Sequence, residues 1–329
     1  MKQFRFLTSI LLLCICIFSN SAKAASEQVD YSQYDLDIDK IVVTASRIDQ
    51  KYKQSTQNIS IITKKDIESS GITEIAEILD LLPSVDILEY GSAGSTRSVH
   101  TRGASNTQVL TLIDGRPVNT PRDGSTDFNQ IPLSNIERIE VLRGPASSIY
   151  GANAVGGVIN IITKSGKEKS GTELLSKFGS FSTKLSSLTY GDKKNRIDYF
   201  IAYDYLASHG HRANSDYLSN NINTKLGYEI DTDNRISLST GYYNPKVGAP
   251  GSTSYPDPND WQEAFNKYID FTYTGKLFEG QDLLLKMFHN SDRLEYTTEN
   301  DSAEYDPITK DTHQTKIYGV DGQISQIFF

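Results

Sequence analysis

The chain has 329 residues, 37% of them hydrophobic, with a mean hydropathy of −0.42 and a formal charge of −8. That composition excludes a bundle of membrane-spanning helices, each of which needs ~20 consecutive apolar residues, and an acidic chain is a poor nucleic-acid binder. Nineteen Tyr and 13 Phe stand against one Trp, two Met and two Cys, an aromatic excess of the kind that sheets and interfaces use.

In chain order, Lys2 and Arg5 precede an uncharged apolar run of 13 residues, Phe6 to Phe18, followed by Ala22-Lys23-Ala24. This is the pattern of a secretory signal peptide, residues 1–24, cut after Ala24. Both cysteines, Cys14 and Cys16, lie inside it, so the exported chain has no disulfide, thiolate metal site or cysteine nucleophile. Cleavage removes three basic and no acidic residues and takes the charge from −8 to −11. Residues 25–50 read as a flexible arm, polar and acidic up to Asp39 and without helical or strand period. Within it, Ile41-Val42-Val43-Thr44-Ala45-Ser46 has strong strand propensity and no obvious pairing segment beside it. Such a strand suits addition to a partner's sheet; an edge strand of the following domain is the other reading.

Residues 51–170 read as a mixed α/β domain. Thr63 and Asp66 have capping-box spacing, and Ile75, Ile78, Leu79 and Leu82 share one face of a helix spanning Ile72 to Leu82, stopped by Pro83. Val109 to Ile113 runs into Asp114-Gly115, a strong hairpin signal. A short amphipathic piece at Ile131 to Ile136 feeds a strand at Ile139 to Leu142, and Gly156-Gly157 introduces another, Val158 to Thr163.

After Gly171 the period becomes two. Ile197, Tyr199, Ile201, Tyr203 and Tyr205 alternate with Asp198, Ala202 and Asp204, and the same pattern recurs at Ile222 to Ile230, Arg235 to Tyr242 and Ile269 to Lys276. An apolar, aromatic face backed by a polar one fits a transmembrane β-barrel wall between lipid and a wet lumen, and also a soluble antiparallel sandwich. The connections favour the barrel: short turns at Asp231 to Asn234 and Glu279 to Gln281 alternate with long polar segments at Ser208 to Ser219, Pro245 to Glu263 and Glu295 to Thr312.

Several blocks in fixed order resemble the TonB-dependent outer-membrane receptors, of the cobalamin or ferric-siderophore type. They are Ile41 to Ser46, Thr101-Arg102-Gly103, Leu112-Ile113-Asp114-Gly115-Arg116-Pro117-Val118, Ile136 to Pro145, Ser148-Ile149-Tyr150-Gly151 and Ala154 to Lys164. The resemblance covers about residues 39–170. It implies an α+β plug domain (51–170) followed by antiparallel transmembrane β-barrel strands (171–329), with Ile41 to Ser46 as the TonB box. About eight strands are expected here, against the 22 of plugged outer-membrane transporters. An eight-stranded barrel is filled by its own side chains, so the chain is expected to be the N-terminal portion of a receptor in truncated form, unable by itself to complete transport.

The implied function is active uptake of a metal chelate, ferric siderophore or cobalamin, across the outer membrane, with TonB, the chelate and outer-membrane lipid as partners and no nucleic acid. A plugless diffusion porin or structural surface barrel is the alternative, but neither uses the box or the α/β domain. A signalling transducer would carry a further domain before the box, where only 14 residues separate Ala24 from Asp39. Charged residues Arg102, Glu137, Arg138, Glu140 and Arg143 are expected to hold the plug to the wall. Gly103, Gly144, Pro145, Tyr150, Gly151, Gly156 and Gly157 are expected to make its turns and close backbone approaches. Candidate ligand contacts are Tyr90, Arg97, Arg122 and Asp127 at plug apices.

No enzyme is expected, because the histidines at 100, 209, 211, 289 and 313 are scattered and no nucleophile or base constellation accompanies them. No metal centre or cofactor is assigned. His209-Gly210-His211 is a weak ligand pair, and calcium at Asp257, Asp260, Asp301 and Asp306 rests on the resemblance alone, with no EF-hand spacing.

Overall fold

The structure, a computed structural model, describes residues 41–42, 50–51, 58–89, 91, 94–95, 97–167, 170–278, 280–298 and 308–326. The signal peptide, Val43 to Ser46, Tyr90, Asp301 and Asp306 lie outside the described residues.

Strand β1 (Ile41–Val42) pairs antiparallel with β2 (Gln50–Lys51), Ile41 opposite Lys51 and Val42 opposite Gln50. Ile41 and Val42 therefore have a partner within the chain, where the sequence showed no obvious pairing segment beside them. Gln50 and Lys51 carry no strand signal, but a ladder needs only backbone N–H and C=O groups.

The α/β domain follows. Strand β3 (Ile59–Thr63) leads into α1 (Lys64–Ser70), and Thr63 forms the predicted capping box. Its Oγ1 accepts the Asp66 N–H at 3.3 Å while the Asp66 carboxylate accepts the Thr63 N–H at 2.8 Å. Helix α2 (Ile75–Asp80) buries Ile75, Ala76, Ile78 and Leu79. It is shorter than the Ile72 to Leu82 pattern because Glu74 is its N-cap and Leu81 its C-cap. Strands β4 (Val85–Glu89) and β5 (Arg97–Thr101) make a separate hairpin. Strand β6 (Val109–Ile113) turns at Asp114 and Gly115, both at positive φ (49° and 82°), into β7 (Arg116–Pro117), as a type I′ hairpin requires. Strand β8 (Ile136–Arg143), α3 (Ser147–Tyr150) and β9 (Gly157–Thr163) complete the domain.

The five-stranded sheet has the order β3-β8-β9-β6-β7, with β6 and β9 parallel and the other neighbours antiparallel. Alternation sorts its two faces. Ile62, Val109, Ile139, Val141, Ile159 and Ile161 pack with the helices and Phe128, whereas Ile59, Leu110, Leu112, Leu142 and Val158 pack with Ala146 and Ala154. Gly157 sits where β9 meets β8: a Cβ there would lie 2.4 Å from the Leu142 carbonyl oxygen, at φ +152°. Gly157→Val is expected to cost the domain about 3 kcal/mol or more through overpacking and backbone strain, read as a lower urea midpoint in far-UV circular dichroism; an unchanged midpoint would refute the close-approach role.

Eight strands then run as one antiparallel meander: β10 (Gly171–Phe178), β11 (Lys184–Lys194), β12 (Ile197–Ser208), β13 (Tyr217–Glu229), β14 (Arg235–Gly248), β15 (Trp261–Phe278), β16 (Gln281–Thr298) and β17 (Thr309–Gln326). Among the described residues the sheet begins at β10 and ends at β17 without closing on itself. One face carries exposed Leu188, Ile201, Ile222, Leu226, Ile269 and Met287; the other carries buried Asp198, Asn221, Asn223, Asp270, Lys286 and Asn290.

Strands β13 to β17 run further into the polar segments than hydrophobic alternation foretold, leaving loops at 209–216 and 249–260. Alternation marks only where one face meets an apolar phase, whereas backbone pairing continues where both faces are wet. Pro245 shows the repair this takes. Lacking an N–H, it sits where the β14 to β15 register is interrupted, and Asn244 Nδ2 donates to the Ala264 carbonyl at 2.8 Å in its place.

Candidate functional site

The α/β domain lies against the polar face of the meander, and the contact is built from charges and hydrogen bonds. The β6–β7 hairpin leads. Asp114, at its tip, accepts the Thr163 N–H at 2.9 Å, the Thr163 hydroxyl at 2.5 Å and Lys225 Nζ, from β13, at 3.0 Å. Burial opposes the Asp114 charge, but the Lys225 ammonium and the Thr163 donors outweigh it and hold the carboxyl below its usual range.

Arg116, two residues on, is buried with its guanidinium 3.9 Å from the centre of the Tyr268 ring. It donates to Asn290 Oδ1 at 2.7 Å, and Asn290 Nδ2 returns a bond to the Pro117 carbonyl at 3.0 Å. Asn221 donates to the Gln130 carbonyl at 2.7 Å, and Ser134 to Asp204 at 2.7 Å. Lys167 pairs with Glu229 at 2.6 Å. Lys177 of β10 donates to the Gly71 carbonyl at 3.3 Å, so the domain touches the wall through β10 as well as β12, β13, β15 and β16. Below it, a cavity of about 510 Å³ lies between domain and wall, lined by Arg138, Lys225, Arg235, Asp270 and Lys286 among others. Within the wall, Arg235 grips the buried Asp198 with two bonds of 2.6 and 2.9 Å, and Lys286 pairs with Asp270 at 2.9 Å.

The charged residues expected to meet the wall are placed as follows. Arg138 pairs with the fully buried Glu140 at 2.8 Å and borders the 510 Å³ cavity. Arg143 donates to the Pro83 carbonyl at 3.0 Å and Ser60 Oγ at 2.6 Å, within the domain. Arg102 is exposed and Glu137 partly so. Toward these eight strands the contacts run instead through Gly71, Asp114, Arg116, Gln130, Ser134, Thr163 and Lys167. The hairpin block 112–118 was visible in the sequence, but its wall partners Lys225, Asn221 and Asn290 look like any other lumen-facing polar residue. Among the expected turn residues, Gly103, Gly144, Gly151 and Gly157 take positive φ, and a Cβ on Gly156 would lie 2.4 Å from that of Ala104. Pro145 precedes α3, and Tyr150 ends it.

At the loop end, Arg97 is buried and engaged by Glu74 and, at 3.0 Å, by Glu89. Asp127 caps the turn at Phe128–Gln130, accepting the Asn129 N–H at 3.0 Å, and burial pushes its carboxyl above the usual range. Arg122 is exposed beside Asp123 at 3.2 Å. The apex at Gly94 rests on the Tyr217 ring so closely that a Cβ would lie 2.0 Å from it, and Tyr217 shares a 3.0 Å hydrogen bond with Tyr243.

Two wall loops are stapled together, a feature with no sequence signal. Arg212 donates to the carbonyls of Pro250, Gly251 and Ser252, and Asn214 to those of Asp257 and Asp260. In the same loops, His209 Nδ1 lies 2.7 Å from Asp216, and the His211 ring meets Phe181 edge-on. Asp257 Oδ1 accepts the backbone N–H groups of Asn259 and Asp260, and Asp260 accepts the Tyr296 hydroxyl at 3.0 Å.

An α/β domain seated on one face of an eight-stranded antiparallel meander is the arrangement of a plug against a barrel wall. The sequence model of the TonB-dependent receptor plug domain matches residues 51–158, so this part of the chain is similar to the plug domain of the TonB-dependent receptors. Vitamin B12 transporters BtuB from Vibrio cholerae serotype O1 are 41% identical over 151 residues, 46% of this chain and 25% of theirs. The match thus spans a quarter of the length of these relatives. Among solved structures, the ferripyoverdine receptor of Pseudomonas aeruginosa bound to ferripyoverdine superposes with a TM-score of 0.70 at 15% identity, over 87% of this chain and 42% of that one. A ferric enterobactin receptor mutant from the same organism, in complex with enterobactin, gives 0.67 at 20% identity over 83% and 47%. The siderophore receptor PirA from Acinetobacter baumannii gives 0.65 at 22% over 86% and 46%.

Proposed function

We propose that the chain serves in TonB-dependent uptake of a metal chelate across the outer membrane, exported by its N-terminal signal and energised through residues 41–46. The observation that carries this reading is the chemistry of the seat. A plug that must move is held by contacts such as Asp114–Lys225, Arg116–Asn290 and Asn221–Gln130, each contributing on the order of 1 kcal/mol net because water can replace it. An interface of interlocking apolar side chains would not release in this graded way. A diffusion porin has no use for such a seat. Ligand arrival at the plug apices would shift the plug and make the box available in the periplasm; a strand added there by TonB would then transmit force.

Cobalamin is the first ligand to test, since the BtuB relatives share 41% identity over 151 residues, whereas the siderophore receptors share the fold. Cells that lack their own cobalamin receptor and express the protein are expected to bind radiolabelled cobalamin at the surface. Binding of ferric siderophores without cobalamin would move the assignment to iron, and binding of neither would sink the chelate reading.

A further inference from the structure

At its loop end the plug rests on one aromatic ring of the wall. Tyr217 opens β13 and is 3% exposed, with its ring turned toward the plug. Gly94 lies so close to that ring that no side chain fits between them, and its φ of +81° also favours glycine. Gly91 makes a second close approach, where a Cβ would lie 3.1 Å from that of Ser95. Gly91, Gly94 and Ser95 thus form a compact tip. Its position is set by shape, a ring against bare backbone, whereas the Asp114, Arg116 and Asn221 contacts are bonds that water can replace.

The ring is anchored from several directions. Tyr217 pairs with Val247 in the ladder, and the Asp216 carbonyl accepts the Gly248 N–H at 2.8 Å. Its hydroxyl shares the 3.0 Å bond with buried Tyr243 of β14. The loop that leads into it, 209–216, is tied to 249–260 by Arg212 and Asn214. The plug side is tied to the same strand. Asn129 Nδ2 donates to the Ser95 carbonyl at 3.1 Å, and the neighbouring Gln130 carbonyl accepts Asn221, on the same face of β13, at 2.7 Å. A cavity of about 110 Å³ adjoins Gly94, Tyr217 and Tyr243, so the tip has no close packing on that side to take over from the ring.

We infer that Tyr217, braced by Tyr243, is the positioning residue for the ligand-meeting tip of the plug: it fixes where Gly91, Gly94 and Ser95 stand, and through them the affinity for the chelate. What the tip does rests on the uptake reading above; what holds it rests on geometry alone. The ring carries the contact and the bond to Tyr243 steadies it, so Tyr217→Phe retains most of the positioning and Tyr217→Ala loses it. Gly94→Ala acts on the same contact from the other side, because the added methyl pushes the tip off the ring.

Ser95 reports the state of the tip. Its hydroxyl is buried without a hydrogen-bond partner among the described residues, so Ser95→Cys sets a thiol, a small apolar group, in the same space. The 329-residue chain carries Cys14→Ser and Cys16→Ser, so that the introduced thiol is its one. It is purified in a mild detergent, and alkylation by a water-soluble maleimide is timed. Tyr217→Ala is expected to raise the rate at least about 30-fold and Tyr217→Phe no more than about fivefold. Gly94→Ala is expected to match Tyr217→Ala, and the two together to add nothing further, since they break one contact. In the same background Ala154→Cys, buried elsewhere in the plug, is expected to keep its rate when Tyr217→Ala is added. An unchanged Ser95→Cys rate in Tyr217→Ala, or an equal acceleration at Ala154→Cys, would overturn the inference. In cells, Tyr217→Ala is expected to weaken surface binding of radiolabelled cobalamin about tenfold, with Tyr217→Phe close to wild type; full affinity in Tyr217→Ala would also overturn it. Wild-type cells that bind no chelate would sink the uptake reading, and the thiol rates would still decide what holds the tip.

Discussion

Lys225→Met is expected to loosen the plug by about 3 kcal/mol, the low end of the cost of stripping a buried charge of its partner, because Asp114 and Lys225 each keep roughly a fifth of their side-chain surface. Methionine keeps the aliphatic stem and its packing, so the change isolates the ammonium. Asp114 would then retain Thr163 as donor but face the wall as an unpaired anion. The measurement is protease sensitivity of the plug during urea titration, with the Lys225→Met curve displaced to lower urea. Acid should expose the same link. Asp114 has a folded-state pKa held below that of the free carboxyl, so its contribution is fully present above ~pH 4, the ordinary carboxylate value, and is lost as pH falls through the depressed folded value. In Lys225→Met the ammonium no longer depresses that value, so the acid-induced loss seen in the wild type should shrink, because protonation now relieves the orphaned charge. Combining Asp114→Asn with Lys225→Met should recover part of the deficit, since the orphaned charge disappears. A wild-type urea curve in the single variant would show that the hairpin tip does not anchor the plug.

What was legible in the sequence and what was not divides along the line between local and cross-chain chemistry. The capping box at Thr63, the Asp114-Gly115 turn, the eight wall strands and the two-faced alternation depend on residues close together in the chain, and pattern alone exposed them. The pairing of Ile41–Val42 with Gln50–Lys51 escaped because backbone ladders leave no mark on polar side chains. The seat escaped for a different reason. Arg116 and Asn290 are 174 residues apart, and neither differs by itself from a solvated surface residue. The dense charges of residues 137–143 look like the more obvious seat, yet Arg138 bonds Glu140 and Arg143 bonds Pro83 and Ser60, all inside the plug. Charge density in one strand marks polar residues that need satisfaction, but it does not say from which side satisfaction comes.

Val43→Pro is expected to abolish energised uptake, by about 100-fold or more, while surface binding of the ligand stays at the wild-type level. The argument rests on the proposed strand addition, in which backbone groups of residues 41–46 supply the ladder. Proline removes one donor and is confined to strand edges, and it spares the plug apices where ligand would bind. The ribbon formed by Ile41–Val42 with Gln50–Lys51 sets the competition. Two residue pairs supply few ladder bonds, each contributing ~1 kcal/mol net, so a partner strand running the length of the box would displace them. Gln50→Pro therefore serves as the opposite control: it weakens the internal pairing and should raise cross-linking between the box and TonB in the absence of ligand. Cross-linking that persists undiminished in Val43→Pro would show that TonB does not read the box as a strand, and cross-linking that falls in Gln50→Pro would show that the internal ribbon presents the box to TonB and does not withhold it.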